Sequence, residues 1–219
     1  MTFFDLVLQT SGSLHPDGDP DAFVTEFTGI IRCEDDTGTV RRVGKVRAYR
    51  IEAALAARHG EPLFDVCDAH SQQLHEVHSL LYESGGYGFK EFFIDRFDAM
   101  EWDCLVLDYL VLHPRWRGLK LGLLAARKVV DLLGGVCGLT VAEVLPLDPE
   151  AQDLVGVPAS WIPRHDTAES QREARGKLRR YFKRLGSERI QGTDYYGLPM
   201  ARRTPTLADL LRPERGERG

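Results

Sequence analysis

The stretch richest in chemical possibility is Asp108-Tyr-Leu-Val-Leu-His-Pro-Arg-Trp-Arg-Gly-Leu-Lys-Leu-Gly122. An apolar strand ends at His113-Pro114, the chain turns, and apolar periodicity carries a helix from Gly118 to Leu133. The first N–H groups of a helix lack intrahelical partners and sit at the positive end of its dipole. Such a junction is therefore a seat for a diphosphate. Glycine at 118 and 122 lets backbone and ligand approach closely, and Arg115, Arg117 and Lys120 add positive charge. A strand, a turn and a helix with two glycines are also what plain α/β packing produces. A Gly-x-Gly-x-x-Gly dinucleotide fingerprint is absent, and so is the Gly-Lys-Ser/Thr of a P-loop.

Two carboxylates stand near this junction in the chain, Asp108 within the apolar strand and Glu143 on the strand after the helix. Each has a plain reading beside a chemical one. Asp108 can pair with Arg115, Lys120 or a backbone N–H, and Glu143 can face solvent. Farther on, a helix over Glu169 to Leu185 gathers Leu178, Tyr181, Phe182 and Leu185 on one side. Its other sides carry Arg172, Arg175, Lys177, Arg179, Arg180, Lys183 and Arg184. A face of that kind is usually only solvated; a functional version binds phosphates, from RNA or a nucleotide. Cys67, His70, His75 and His78 include no carboxylate–histidine motif of known metal spacing, and His78 falls on the apolar stripe of Leu74 and Leu81. No metal is expected.

Leu112-His113-Pro114 followed by Arg117-Gly118-Leu119-Lys120-Leu121-Gly122 resembles the signature of the GNAT superfamily of N-acetyltransferases. There, a strand ending Val-x-Pro leads to Arg/Gln-x-x-Gly-x-Gly/Ala at the start of a helix. Lys120 stands where that pattern has its first glycine. Tyr181-Phe182-Lys183-Arg184-Leu185-Gly186 resembles the family's late-helix ending, with Phe182 where many members have a proton-donating tyrosine. The resemblance covers Asp103 to Ala201. It implies an α/β (α+β) acyl-CoA acyltransferase fold, a central mixed sheet flanked by helices, and transfer of an acetyl group from acetyl-CoA to a primary amine of a small molecule or peptide.

It implies further that acetyl-CoA is held by the backbone of Leu110 and Leu112 and by Arg117, Gly118, Leu119, Lys120, Leu121 and Gly122. Asp108, on the face shared with Leu110 and Leu112 by strand alternation, becomes the first candidate for general base and Glu143 the second. Tyr181, about 100° around the helix from Phe182, is expected to take little part. Two rivals remain: a non-catalytic acyl-CoA-binding module, suggested by Lys120 and Phe182, and an acetyltransferase acting on aminoacyl-tRNA or another nucleic-acid-linked amine, suggested by the basic helix.

Around these residues the elements read plainly. Ala22 to Cys33 and Thr39 to Arg50 form a hairpin about Asp35-Asp36-Thr37-Gly38, with an earlier strand over Phe3 to Gln9. Ile51 to Arg58 and a helix capped by Asp68 and reaching Tyr82 fall between the hairpin and the motif strand. In typical family members those helices precede the hairpin. Val136 to Leu145 is a strand, Pro146 to Pro163 a long loop, Asp166 with Glu169 a capping box, and Arg189 to Ala201 a final strand pair. One domain over residues 1–205 is expected, with a divergent half over 1–102, a binding core over 103–201 and a loose tail over 206–219.

With 219 residues, 43% of them hydrophobic, the chain can bury a full core without staples. The net charge of -5 argues against bulk nucleic-acid binding. Four dispersed cysteines without a CxxC pair suit a reduced, cytoplasmic protein. Leu119 to Leu139 carries Lys120, Arg127, Lys128 and Asp131, so no membrane span is expected. The oligomeric state stays open, a homodimer among the options.

Overall fold

The computed structural model describes residues 3–11, 19–148, 154 and 156–212. Its strands are β1 (Phe3–Thr10), β2 (Val24–Glu34), β3 (Val40–Ile51), β4 (Cys104–Leu112), β5 (Leu139–Glu143), β6 (Glu188–Arg189) and β7 (Tyr195–Pro199). Between β3 and β4 run α1 (Ala53–His59), α2 (Leu63–His70), α3 (Gln72–Leu81) and α4 (Glu91–Phe97). Helix α5 (Leu121–Leu133) joins β4 to β5, α6 (Ala168–Arg184) precedes β6, and α7 (Leu207–Leu211) follows β7. All seven strands form one sheet in the order β1-β2-β3-β4-β5-β7-β6, antiparallel except for the β4–β5 pair. The protein is thus mixed α/β, with helices on both faces of the sheet.

Period-two alternation divides the core between the two faces. Cys104 and Val106 of β4, with Leu139 and Val141 of β5, pack under α1–α4 against Val66, Leu74, Leu81 and Phe97. Leu105 and Leu107 point the other way, toward Val129 and Val130 of α5. All four cysteines are free and buried, and they act as small apolar side chains. No helix among the described residues is long and apolar enough to cross a membrane.

The hairpin forms where the turn residues place it: Asp35 Oδ1 accepts from the Thr37 and Thr39 N–H groups at 3.0 and 3.1 Å. Several helix ends differ from the sequence expectation. Ser71, not Asp68, caps α3, its hydroxyl accepting from Leu74 N–H at 3.2 Å. Asp68 lies within α2 and instead meets His75 Nδ1 at 2.8 Å. Thr167 and Ser170 form the capping box of α6 in place of Asp166 and Glu169. Position decides both cases: Ser71 and Thr167 stand at the N-caps, within reach of the N–H three residues on, whereas Asp68 lies inside α2 and Asp166 one residue before the cap. Between β3 and β4 there are four helices rather than two. The segment after Pro205, expected to be loose, forms α7 over Leu207–Leu211 with Leu210 buried among Leu123, Ala126 and Leu185; residues 213–219 lie outside the described part.

Candidate active site

Strand β4 pairs with β5 only from Cys104 to Leu107, matched to Leu139 through Ala142. Beyond Leu107 it continues against β3 alone, as far as Leu112 opposite Gly44. The sheet therefore forks, and among the described residues the β5 side of Asp108 to Leu112 has no neighbouring strand. His113 N–H donates to Val43 O at 2.8 Å. In an antiparallel ladder alternate residues bond to the same neighbour, so the N–H and C=O groups of Leu110 and Leu112 turn toward the fork. Leu112 O is already engaged by the Arg117 guanidinium, at 3.2 Å from Nε and 3.1 Å from Nη2.

A bulge in β4 decides what faces the two mouths of this fork. Leu107 pairs with Ala48 and Tyr109 with Arg47, leaving Asp108 as the extra residue. Leu110 consequently returns to the α5 face with Leu105 and Leu107, and Leu112 packs beside Ala125 of that helix. Asp108 stays on the opposite face, ion-paired with Arg47 and within hydrogen-bonding reach of Gln73 on α3. The expectation that Asp108 shares a face with Leu110 and Leu112 is therefore corrected, and its partner is Arg47 rather than Arg115 or Lys120. Burial pushes the Asp108 carboxyl above the ordinary carboxylate range, and Arg47 draws it back only in part. A carboxylate held by a guanidinium that also lies over the rings of Tyr49 and Tyr109 is a structural tie before it is a base.

Glu143 ends β5 on the same face and lies opposite Tyr195 of β7. It is half-buried and has no hydrogen bond or ion pair among the described residues. Burial raises its pKa above the ordinary value, as do the negative charges of Glu76, Asp194 and Asp108, while Arg175 opposes them. The Tyr195 hydroxyl is buried without a hydrogen-bond partner among the described residues. Burial raises the pKa of that phenol, as do Glu143, Glu76 and Asp108. A cluster of polar groups thus lies on this face beside the end of the β4–β5 pairing: Asp108, Glu143, Glu76, Tyr195, and beyond Arg47 the half-buried His70, whose pKa burial lowers.

At the other mouth lies the loop into α5. The helix starts at Leu121, three residues later than the periodicity suggests. Gly118 and Lys120 both hold left-handed backbone, with φ of 79° and 59°. For lysine that costs about 1–2 kcal/mol, which glycine avoids. Lys120 provides no side-chain cap for the helix. The N–H groups of Gly118, Leu119, Lys120, Leu121, Gly122 and Leu123 have no hydrogen-bond partner among the described residues. This is a row of donors at the positive end of a 13-residue helix.

Two of the loop's charged side chains, Arg117 and Lys120, are in contrast turned away from it. Arg117 reaches back to Leu112 O and Trp161 O, and Lys120 Nζ donates to Leu211 O and Arg212 O of the α7 end at 3.0 and 3.1 Å. Leu119 is exposed and Leu121 is buried. Gly122 meets the Tyr181 hydroxyl, which fills the space between α5 and α6 beside Leu110. Tyr181 thus lies nearer the start of α5 than the 100° offset from Phe182 suggested, while Phe182 packs into the core between Tyr196 and α5.

Much of the basic charge on α6 is internally engaged. Arg175 and Arg179 reach Asp194 at 3.6 and 3.0 Å, Lys177 meets Glu173 at 2.7 Å, and Arg184 donates to Leu210 O and Arg212 O. No cluster of three or more metal-ligating side chains occurs among the described residues. His78 is buried between Phe64 and Tyr82 with neither ring nitrogen partnered there. Of the groups at the fork, the sequence pointed to Asp108 and Glu143 but not to Arg47, Gln73, Glu76 or Tyr195. An arginine between Val46 and Ala48 in an inner strand was a usable signal, since a buried charge needs a partner. No protein-family model, curated protein or solved structure matches the chain.

Proposed function

We propose that the chain is an N-acetyltransferase that transfers an acetyl group from acetyl-CoA to a primary amine, as its resemblance to the GNAT superfamily implies. The observation that carries this reading is the fork, which leaves the Leu110 peptide groups and the Leu112 N–H without a strand partner directly upstream of the amides from Gly118 to Leu123, unbonded among the described residues. Strand groups suit the amide-bearing pantetheine arm, and the amide row suits a diphosphate. Arg117 and Lys120 serve by shaping the loop, since their cationic ends are bonded to main-chain carbonyls. The left-handed Lys120 stands where the family pattern has glycine, so the loop keeps the backbone such a pattern demands.

Acetyl-CoA supplies an activated thioester carbonyl. The chain's own part is to place an amine before it, take the amine's proton and serve the departing sulfur. Glu143 is the base in this reading, because it has no bonded partner among the described residues and burial holds its pKa above the ordinary carboxylate value. Asp108 holds Arg47 and the floor of the site. The Tyr181 hydroxyl, lying in the α5–α6 groove beside Leu110, is the protein group best placed for the sulfur.

Calorimetry with acetyl-CoA and steady-state turnover test this together. Gly118 has nothing within 4 Å of a side chain built there, so Gly118→Asp places a carboxylate at the amide row without a clash, at a backbone cost of about 1–2 kcal/mol for the left-handed φ of 79° that Gly118→Asn shares and controls for. It should weaken acetyl-CoA binding by about tenfold or more. Glu143→Gln should retain that affinity and lose about 10²-fold in turnover, together with the acid limb of the pH profile. Wild-type protein with no affinity for acetyl-CoA would end the proposal. Tight binding with no product from any amine would favour a non-catalytic module, a reading to which the core-packed Phe182 lends weight.

A further inference from the structure

The chain that leaves β5 after Glu143 comes back across β4 just past the fork. Leu147, Leu154, Val157 and Trp161 pack on Tyr109 and Val111. These two alternate with Leu110 and Leu112, and so lie on the face that Asp108 occupies. Tyr109 continues the same surface inward, since its ring lies 4.9 Å from the Arg47 guanidinium that pairs with Asp108. Residues 156–162 therefore form a wall on the side of the fork where Glu143 stands.

Little of this wall is regular structure. Val157, Trp161 and Ile162 donate to Leu154 O, Pro158 O and Ala159 O at 2.9, 2.8 and 3.1 Å, all within the segment. Such turns fix its shape but not its place on the sheet. Its place is set at Trp161, which is 8% exposed. The indole lies 5.1 Å from the Arg42 guanidinium and 5.3 Å from the His113 ring, and the Trp161 carbonyl accepts from Arg117. The same guanidinium grips Leu112 O, at the fork edge of β4. Arg117 thus joins the coenzyme strand to the wall across the end of the fork. Both oxygens it holds are neutral, and burial is what shifts its pKa, downward. A planar fork of donors makes this junction, rather than attraction between charges.

We propose that Arg117 is a positioning residue for the acceptor: by bridging Leu112 and Trp161 it holds residues 156–162 as the outer wall of the amine site, and it makes no contact with the phosphates of acetyl-CoA. This rests on the acetyltransferase reading of the fork. An amine reaching a thioester beside Leu110 from the Glu143 side passes along that wall. With the bridge cut, the wall keeps its local turns and loses its fixed distance from β4. The base and the coenzyme strand stay where they were, because β4 remains paired with β3 and Leu112 O is not a group left for pantetheine. The wall serves the bound amine before and during reaction alike, so its loss raises KM and spares kcat.

The test uses Arg117→Gln and Arg117→Lys in the full chain. The readouts are acetyl-CoA affinity by calorimetry, hydrogen exchange of residues 156–162, and the kinetic constants for the fastest substrate among n-butylamine, 2-phenylethylamine and glycylglycine. Both variants should speed exchange in the segment and raise the amine KM by about tenfold or more, as expected when a hydrogen bond from a charged donor is lost. The kcat and the acetyl-CoA Kd should stay within about twofold of wild type. Lysine keeps the charge without the planar fork, so it should fail as glutamine does. Trp161→Leu should raise KM in the same way with Arg117 in place, and the double variant should be no worse than either single one.

Acetyl-CoA affinity that falls in Arg117→Gln and returns in Arg117→Lys would make Arg117 a phosphate contact and overturn the inference. So would an unchanged KM, or exchange in residues 156–162 that neither substitution alters. Each of these results leaves the acetyltransferase reading standing. Wild-type protein without affinity for acetyl-CoA, or without product from any of these amines, would instead remove the activity and the acceptor role of Arg117 with it.

Discussion

A methyl group at position 122 would sit 2.5 Å from the Tyr181 hydroxyl, 3.3 Å from Leu110 Cδ2 and 3.5 Å from Tyr181 Cζ. Ordinary contact is about 3.5 Å, so the hydroxyl overlaps by about 1 Å while the other two atoms are at or near normal range. Gly122→Ala should therefore cost about 1–3 kcal/mol of overpacking, offset by up to about 1 kcal/mol of helix propensity. Removing the hydroxyl removes the overlap. Tyr181→Phe alone should be nearly neutral, because that oxygen has no hydrogen bond among the described residues, and the double variant should match or exceed wild type. Urea unfolding of the four proteins gives the coupling, expected at about 1–3 kcal/mol in favour of the pair. A Gly122→Ala variant as stable as wild type, or one that Tyr181→Phe fails to rescue, would refute this close approach. The cycle also separates two reasons for glycine. Alanine keeps the N–H of residue 122, so acetyl-CoA affinity should return in the double variant if the glycine serves only packing.

Two further outcomes follow from the buried ionisable groups. Asp108→Asn removes the carboxylate charge ion-paired with Arg47, whose side chain is 13% exposed, and should cost about 1–3 kcal/mol in denaturant titration; a large loss of turnover with full stability would instead make Asp108 the base. His78 is 4% exposed, and burial first, then His75 and Lys90, lowers its pKa. It stays neutral in the fold while the unfolded chain takes up a proton below about pH 6.5. Its contribution is thus whole above that pH and is lost as pH falls from there toward the lowered folded value. Melting temperatures between pH 7.5 and 5.5 should drop less in His78→Phe than in wild type, and equal slopes would place the acid sensitivity elsewhere.

The strands were legible because alternation and turn residues agree along β2 and β3, and the apolar run of β4 admits few other readings. What misled was backbone detail that side-chain pattern does not encode. The periodicity of Leu119, Leu123 and Ala126 runs smoothly back to Gly118, yet left-handed Gly118 and Lys120 postpone the helix to Leu121. Asp108 is one inserted residue, and it moves every later side chain of β4 to the other face. The residues around Glu143 come from β3, α3, β4 and β7, which only the sheet order brings together, so Glu76 and Tyr195 had no local signature. Tyr181 was misplaced because the helical angle from Phe182 fixes the difference between two side chains but not how the helix sits on its neighbours.

Lys120 and Arg184 both end on the last carbonyls of α7, and Leu210 closes over Leu123, Ala126 and Leu185. The final described turn of the chain is therefore a clasp on the loop where α5 begins, some ninety residues earlier in the sequence. A version of the protein cut at Pro205 would bare an oily patch and release the lysine that fixes the loop, inviting self-association in solution and a slackened cradle together. For expression, tagging or grafting, the working boundary of the folded unit lies at Arg212 or beyond, and a fusion partner needs a spacer after it so that the clasp can close.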